Sequence, residues 1–244
     1  MPITADLIDS AYRGERAALL EIDAQLRHRR AEERVRFALQ ELPGAHVLSS
    51  SFGAQAAVSL HLVTRLAPHI PVILVDTGYL FPETYQYVDA LCARLELNLQ
   101  VVRPTMSAAW LEARNGKLWE QGLDGLERYG EIAKAEPMRR ALRSLEAGTW
   151  ISGLRRSQSK SREKISFVEQ VGGRFKVHPL ADWSDRDVGR YLRQHDLPNH
   201  PLWERGYVSI GDWHTTRPLS EAGSVEATRF FGLKRECGVH DLAG

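Results

Sequence analysis

The sequence predicts an α/β fold whose sheet is mostly parallel and flanked by helices. Three observations carry this. Short apolar runs, Ala45-His46-Val47-Leu48, Pro71-Val72-Ile73-Leu74-Val75, Leu97-Asn98-Leu99-Gln100-Val101-Val102 and Thr149-Trp150-Ile151-Ser152-Gly153, alternate with longer helix-like stretches, the pattern of strands joined by crossover helices. The second run is apolar without alternation, as a strand covered on both faces must be. Two runs lead into loops of small and polar residues, Ser49-Ser50-Ser51-Phe52-Gly53 and Asp76-Thr77-Gly78-Tyr79, at the sheet edge where open α/β folds bind ligands.

Residues 6–42 read as helix, with Val35, Ala38, Leu39 and Leu42 on one apolar face and Pro43-Gly44 as the stop. The basic run Arg27-His28-Arg29-Arg30 lies on this helical region as a solvated face. After the first strand a helix opens near Ala54 and ends before Pro68. Pro82 starts another, at the position where its missing N–H costs nothing. That helix places Cys92 on its buried face with Val88, Leu91 and Leu95, so the thiol is expected to act as a small hydrophobe.

Helices follow at 107–121 and 137–147, separated by Gly122-Leu123-Asp124-Gly125, with Trp110 and Trp119 as core aromatics. Residues 167–180 form a hairpin turning at Gly172-Gly173, and Ser184-Asp185-Arg186-Asp187 caps a helix reaching His195. From Leu197 onward prolines and glycines interrupt the pattern, which predicts little core and a mobile cover. The chain is therefore one domain with three parts: a helical segment over 1–42, an α/β body over 43–216, and a mobile tail over 217–244.

Composition narrows the function. At 244 residues with 43% hydrophobic and 26% charged residues, the chain can bury a full core. A net charge of +1 gives no global field toward nucleic acid or a membrane surface. Two cysteines, Cys92 and Cys237, exclude a disulfide framework and a four-thiolate metal site within one chain. His200 and His214 lack metal-ligand spacing, so no metal is expected. The amino terminus has no secretory pattern and no apolar run is long enough to span a bilayer, which predicts a cytoplasmic protein.

Three stretches carry chemistry. The serine loop Ser49, Ser50, Ser51 with Gly53 combines hydroxyls with a helix start, a combination that binds anions. It is not a Walker loop, because no Gly-Lys-Ser/Thr follows. The exit of the fourth strand, Leu154-Arg155-Arg156-Ser157-Gln158-Ser159-Lys160-Ser161-Arg162-Glu163-Lys164, puts five basic side chains within ten residues at the same sheet edge. Arginine forks suit phosphate and sulfate, so a polyanionic small molecule is expected. Aromatic interleaving of the kind single-strand binders use is missing here. The chain closes on Lys234-Arg235-Glu236-Cys237-Gly238-Val239-His240. Cations beside a cysteine favour the nucleophilic thiolate, which makes Cys237 a candidate nucleophile.

These four pieces, the serine loop, Asp76-Thr77-Gly78, Gly153-Leu154-Arg155-Arg156-Ser157-Gln158-Ser159 and the cysteine heptapeptide, together resemble the assimilatory sulfonucleotide reductases. The resemblance runs from about Leu42 to His240. It implies a Rossmann-like fold of the adenine nucleotide alpha hydrolase type. Relatives with ATP pyrophosphatase activity carry Ser-Gly-Gly-x-Asp-Ser in the first loop, which Ser49-Ser50-Ser51-Phe52-Gly53-Ala54-Gln55 replaces, so the loop is expected to hold an anion without cleaving ATP.

Members that reduce adenylyl sulfate hold an iron–sulfur cluster on Cys-Cys and Cys-x-x-Cys pairs. Here Tyr129-Gly130, Asp212 and Thr215 stand at those places, so no cluster is expected. The resemblance then points to the members acting on 3′-phosphoadenylyl sulfate. It implies Cys237 as nucleophile, His240 and Tyr207 as its helpers, and Lys134, Arg155, Arg156, Arg162, Arg229, Lys234 and Arg235 as charge-neutralising groups. It also implies thioredoxin as reductant, with glutaredoxin as the alternative, and a homodimer. Rival readings are a cluster-free adenylyl-sulfate reductase, a nucleotide-binding redox sensor without turnover, and an ATP-using adenylyl transferase of related fold.

Overall fold

The computed structural model of the chain describes residues 3–233. Its centre is a six-stranded sheet in the order β3-β2-β1-β4-β6-β5. The strands are β1 Ala45–Ser49, β2 Pro71–Val75, β3 Asn98–Val102, β4 Ala147–Ser152, β5 Val168–Val171 and β6 Arg174–Val177. All neighbours run parallel except the β5–β6 hairpin. That hairpin turns at Gly172 and Gly173, both at positive φ, which side chains with a Cβ resist.

The order decides where a ligand can enter. From β1 the chain steps outward to β2 and β3, then returns to place β4 on the other side of β1. The loops leaving β1 and β4 therefore diverge and open a crevice above the carboxyl ends of two adjacent strands. Ser49 and Ser152, the last residues of those strands, are register partners.

Alternation along the strands assigns the two faces. Val47, Ile73 and Trp150 face Met138, Ala141 and Leu142 of α8 (Glu136–Ser144). Leu48, Val72, Leu74 and Ile151 pack into the larger core with α4 (Ala56–Thr64), α5 (Pro82–Leu95) and α9 (Asp185–Gln194). Ser184 caps α9 as the sequence predicts, its hydroxyl accepting from the Asp187 N–H.

The expected single amino-terminal helix is three: α1 Ala5–Tyr12, α2 Arg16–Leu26 and α3 Ala31–Glu41. Gly14, at φ +85°, follows the first, and the Arg27–Arg30 run turns the chain between the second and third. Arg34 is buried, and its guanidinium reaches Asp182 at 2.6 and 2.8 Å while lying over the Phe167 ring. These helices share the large core and are tied to the body by a paired charge.

Other expectations change between β3 and β4. Ser107 caps α6, Ala108–Asn115, and α7, Gly122–Gly130, runs through the stretch read as a break. Gly125 is there for contact: a Cβ would lie 2.2 Å from the Leu118 carbonyl oxygen. Trp119 is core, whereas Trp110 is 58% exposed. Cys92 is only partly buried, and burial with Asp89 beside it pushes its thiol up.

The region from Leu197 is not the poor core its composition suggests. His200, Asp212, Thr215, Thr228 and Phe230 are all buried, and Thr216 bridges Arg229. Buried hydroxyls, a carboxylate and close ring contacts do here what aliphatic residues do elsewhere. Among the described residues no helix is long and apolar enough to cross a membrane.

Candidate active site

The crevice contains a cavity of about 370 Å³, within the range of small-molecule sites. Its walls are the β1 exit (Ser49, Ser50, Ser51, Gly53), Thr77 after β2, the β4 exit (Ser152, Gly153, Arg155), and a segment from Val208 to Asp212. The serine loop is held open by its own backbone. The Ser50 N–H donates to the Ile73 carbonyl, and the Ser50 hydroxyl accepts from the Phe52 N–H. Phe52 takes φ +48°, costly for a residue with a Cβ, and its ring is fully buried in the core. Ser49 accepts from the Trp150 indole N–H at 2.7 Å, so its hydroxyl is fixed to the sheet. Gly153 lets the β4 exit lie against α4: a Cβ there would sit 2.6 Å from the Ser59 hydroxyl oxygen.

The structure divides the five predicted cations of the body. Arg155 lines the cavity, but its fork is occupied by Asp185 at 2.9 Å, Gln55 at 2.6 Å, Ser157 and the Trp183 carbonyl. It ties the serine loop to the start of α9. Arg156 does not face the cavity; it donates to the Ile165 carbonyl and lies over Phe167. Arg162 and Arg229 line the cavity, Arg162 donating to Gln158 and Arg229 lying over the Phe230 ring.

Lys134 enters from the opposite wall, on a π-helical turn over Glu131–Ala135 between α7 and α8. Such insertions redirect side chains by a register step. Its ammonium is 2.5 Å from Asp212, which also accepts from Thr77 at 2.6 Å and Tyr129 at 2.9 Å. Asp212 is fully buried, and burial alone would raise its pKa. The Lys134 charge and the hydrogen bonds from Lys134 and Thr77 outweigh that and hold it at about 2. Around this pair Tyr79, Trp119 and Tyr129 pack against Phe230 and the His214 ring, which stacks on Trp119 at 3.7 Å. Burial, partly opposed by Asp212, holds His214 at about 4 and so neutral at pH 7.

Asp76 and Gly78 stand behind the wall that Thr77 forms. Asp76 accepts from the Gly78 N–H, the Tyr85 hydroxyl and the Arg103 Nε–H, which fixes the loop and turns Thr77 inward. Tyr207 packs edge-on against Phe81 at 5.6 Å, outside the wall that its neighbours Val208 and Ser209 form. Cys237, His240, Lys234 and Arg235 lie outside the described residues.

The sequence reading missed Asp212 as a site residue, along with Gln55 and Asp185. In the sequence Asp212 stands out only through the resemblance, not as a site residue. A charged residue between Gly211 and Trp213, in a segment rich in turns, gives no sign that it is buried. Among the described residues, no group of three or more histidine, cysteine or acidic side chains could hold a metal ion.

Residues 45–218 match the phosphoadenosine phosphosulfate reductase domain. The phosphoadenosine 5′-phosphosulfate reductase of Alkalilimnicola ehrlichii is 64% identical over 218 residues, covering 89% of each chain. That of Xylella fastidiosa is 62% identical, covering 86% of this chain and 89% of the relative. Among solved structures, phosphoadenylyl-sulfate reductase from Candida auris, in a phosphate complex, superposes with a TM-score of 0.71 at 27% identity, covering 83% of this chain and 97% of that one. The FMN adenylyltransferase of Candida glabrata shares the fold, with a TM-score of 0.57 at 15% identity over 89% of this chain and 74% of that one. With the domain spanning most of the chain and relatives above 60% identity, the chain belongs to the phosphoadenosine phosphosulfate reductase family.

Proposed function

We propose that this protein reduces 3′-phosphoadenylyl sulfate to sulfite and adenosine 3′,5′-bisphosphate, with Cys237 as nucleophile. The observation that carries the reading is the switch-point cavity, whose opposite walls bring Lys134, Arg162 and Arg229 to one space from three separated parts of the chain. A ligand with clustered negative charge suits that arrangement. Arg229 lines the cavity, and Cys237 follows it by eight residues, so chain length tethers the thiol within about 29 Å of that wall.

In the first step the Cys237 thiolate attacks the sulfate sulfur. The bond from sulfur to the bridging oxygen breaks, and the bisphosphate leaves with the electron pair. A thiosulfonate remains on Cys237. Attack of an anion on an anion needs its charge offset, which Lys134, Arg162 and Arg229 supply at the cavity wall, with Lys234 and Arg235 beside the cysteine. In the second step one thiolate of thioredoxin attacks the Cys237 sulfur and sulfite leaves. The second thioredoxin thiol closes a disulfide and returns the Cys237 thiol, so the dithiol provides both electrons. Cys92 does not serve as an internal resolving thiol in this reading, because burial and Asp89 keep it protonated. His240 orients or protonates the sulfur.

An iron–sulfur cluster has no place in this scheme. The side chains Tyr129, Asp212 and Thr215 offer oxygen donors already engaged with one another and with Lys134, where thiolates would be required. The resemblance extends the proposal to a homodimer working in the cytoplasm.

The test is a sulfite-release assay with both nucleotides, 3′-phosphoadenylyl sulfate and adenylyl sulfate, with and without thioredoxin. The expected result is turnover with the 3′-phosphorylated nucleotide only when thioredoxin is present, and one SO₃ mass on the Cys237 peptide when it is omitted. Sulfite release by a Cys237→Ser variant would remove Cys237 from the mechanism. Preference for adenylyl sulfate would overturn the substrate.

A further inference from the structure

Two cations of the cavity wall share one aromatic ring. Phe230 is buried in the cluster that holds Tyr79, Trp119 and Tyr129. The Lys134 ammonium lies 5.5 Å from the Phe230 ring centroid, and the Arg229 guanidinium carbon lies 5.0 Å from it. Lys134 is also 5.6 Å from the Tyr129 centroid. The Arg229 guanidinium rests where a Cβ on Gly211 would stand, so bare backbone supports it as well. Both cations line the cavity. The mechanism above uses Lys134 and Arg229 and gives Phe230 no part.

The backbone holds this ring in a costly conformation. Phe230 has φ +48° and Phe231 has φ +57°, a region that side chains with a Cβ avoid. Glycine would relieve it, as Gly232 does next door at φ +79°. The chain on either side enforces the turn. Thr216 bridges Arg229, the Arg217 N–H donates to the Thr228 carbonyl, and the Leu233 N–H donates to the Phe230 carbonyl. Charge explains why a ring stands here rather than a carboxylate. Lys134 and Arg229 repel one another, and Asp212 already serves Lys134. A second carboxylate would hold both cations but cancel the positive charge that an anionic ligand needs. An aromatic face attracts a cation within about 6 Å of its centroid and carries no formal charge.

We propose that Phe230 is a positioning residue for the reaction. Its ring face holds Lys134 and Arg229 at the cavity wall, gathers two positive charges for the anionic end of the nucleotide, and leaves that charge uncancelled. Phe230 stands seven residues before Cys237 in the chain. The residue that gathers the cations is therefore joined by a short stretch of chain to the nucleophile whose attack they assist. This inference rests on the reading of the cavity as the nucleotide site.

The test replaces Phe230 in the full-length protein by 4-fluoro-, 3,5-difluoro- and 3,4,5-trifluorophenylalanine. Fluorine withdraws electron density from the ring face and nearly preserves its shape, so the attraction for cations weakens in steps. With thioredoxin as reductant, kcat/KM for 3′-phosphoadenylyl sulfate should fall with each added fluorine, by about tenfold across the series, the scale of a desolvated cation–π contact. The same series at Phe231 is the control. That ring is 39% exposed and lies under Arg217, which does not line the cavity, so kcat/KM should stay within about twofold. Phe230→Leu keeps an apolar side chain without a ring face and should lose about as much as the trifluoro variant. The fluorinated series decides the matter even where the leucine variant fails to fold. A flat or rising series at Phe230, or equal slopes at Phe230 and Phe231, would overturn the role of Phe230, while wild-type turnover would leave the nucleotide reading standing. Wild-type activity in a folded Phe230→Leu would overturn it too. A wild type that turns over no sulfonucleotide would overturn the nucleotide reading and this inference with it.

Discussion

Tyr129 donates a hydrogen bond of 2.9 Å to Asp212, across 83 residues of chain. Thr215 also belongs to the group, its hydroxyl donating to the Asp212 carbonyl at 3.4 Å. The result is a polar core in which one carboxylate gathers a phenol, a hydroxyl and an ammonium. Asp212 thereby fixes Lys134, the cation of the far cavity wall.

Asp212→Asn should expose what this pairing contributes. It leaves the Lys134 ammonium buried without a counter-charge, and stability is expected to fall by about 3–5 kcal/mol in urea unfolding. Adding Lys134→Met to that variant should recover most of the loss, because an apolar pair need not be compensated, while turnover stays low. If the double variant is no more stable than the single one, the pair is not the source of the stability.

Gly211→Ala should separate binding from folding. A Cβ at position 211 would fall 2.2–2.8 Å from three atoms of the Arg229 guanidinium. The end of an arginine can swing away, so unfolding stability is expected to change by less than about 1 kcal/mol. The displaced guanidinium no longer faces the cavity, and KM for the nucleotide should rise about tenfold, with a smaller change in kcat. An unchanged KM would show that Arg229 does not contact substrate.

Arg156 and Arg162 look equivalent in the sequence but not in the fold. Arg162→Ala should raise KM by about tenfold or more, the value of a lost charged contact. Arg156→Ala should leave KM within about twofold and reduce stability, since its guanidinium serves Ile165 and Phe167. Steady-state kinetics beside thermal unfolding distinguishes the two, and a reversed order would contradict the placement.

Acid should weaken the fold in a defined window. His200 and His214 are held at about 4, burial being the main cause in each. In the unfolded chain both titrate near 6.5. Between those values the unfolded chain binds protons that the fold refuses, so stability falls as pH falls from about 6.5 to 4. Asp212, held at about 2, acts lower: its contribution is complete above about 4 and is lost as pH drops toward 2. Calorimetry should therefore show the melting temperature about 5 °C lower or more at pH 4.5 than at pH 7. A melting temperature that rises on acidification would contradict the neutral state of these histidines.

Local chemistry made much of the molecule legible in the sequence. The Pro71–Val75 strand was legible because a strand covered on both faces has little choice but aliphatic residues. The Gly172-Gly173 turn and the Ser184 cap were readable because each rests on the conformational needs of neighbouring residues. The serine loop and the cation-rich exit of β4 followed from being attached to strand ends. The three amino-terminal helices read as one in the sequence because an apolar face can continue across turns that periodicity does not register.

What the tertiary structure decided was which polar groups meet. Sequence spacing says nothing of Asp212 and Lys134 contacting across 78 residues, nor of Ser152 meeting His178 across 26. It could not tell that Arg155 is spent within the protein while Arg162 faces the cavity, since both sit in one basic run. Strands and caps are set by interactions a few residues long, which the sequence states directly. The charge pattern of the site is set by the β3-β2-β1-β4-β6-β5 order, which brings distant loops to one crevice. Burial then selects, among many similar ionisable side chains, the few whose partners let them remain there.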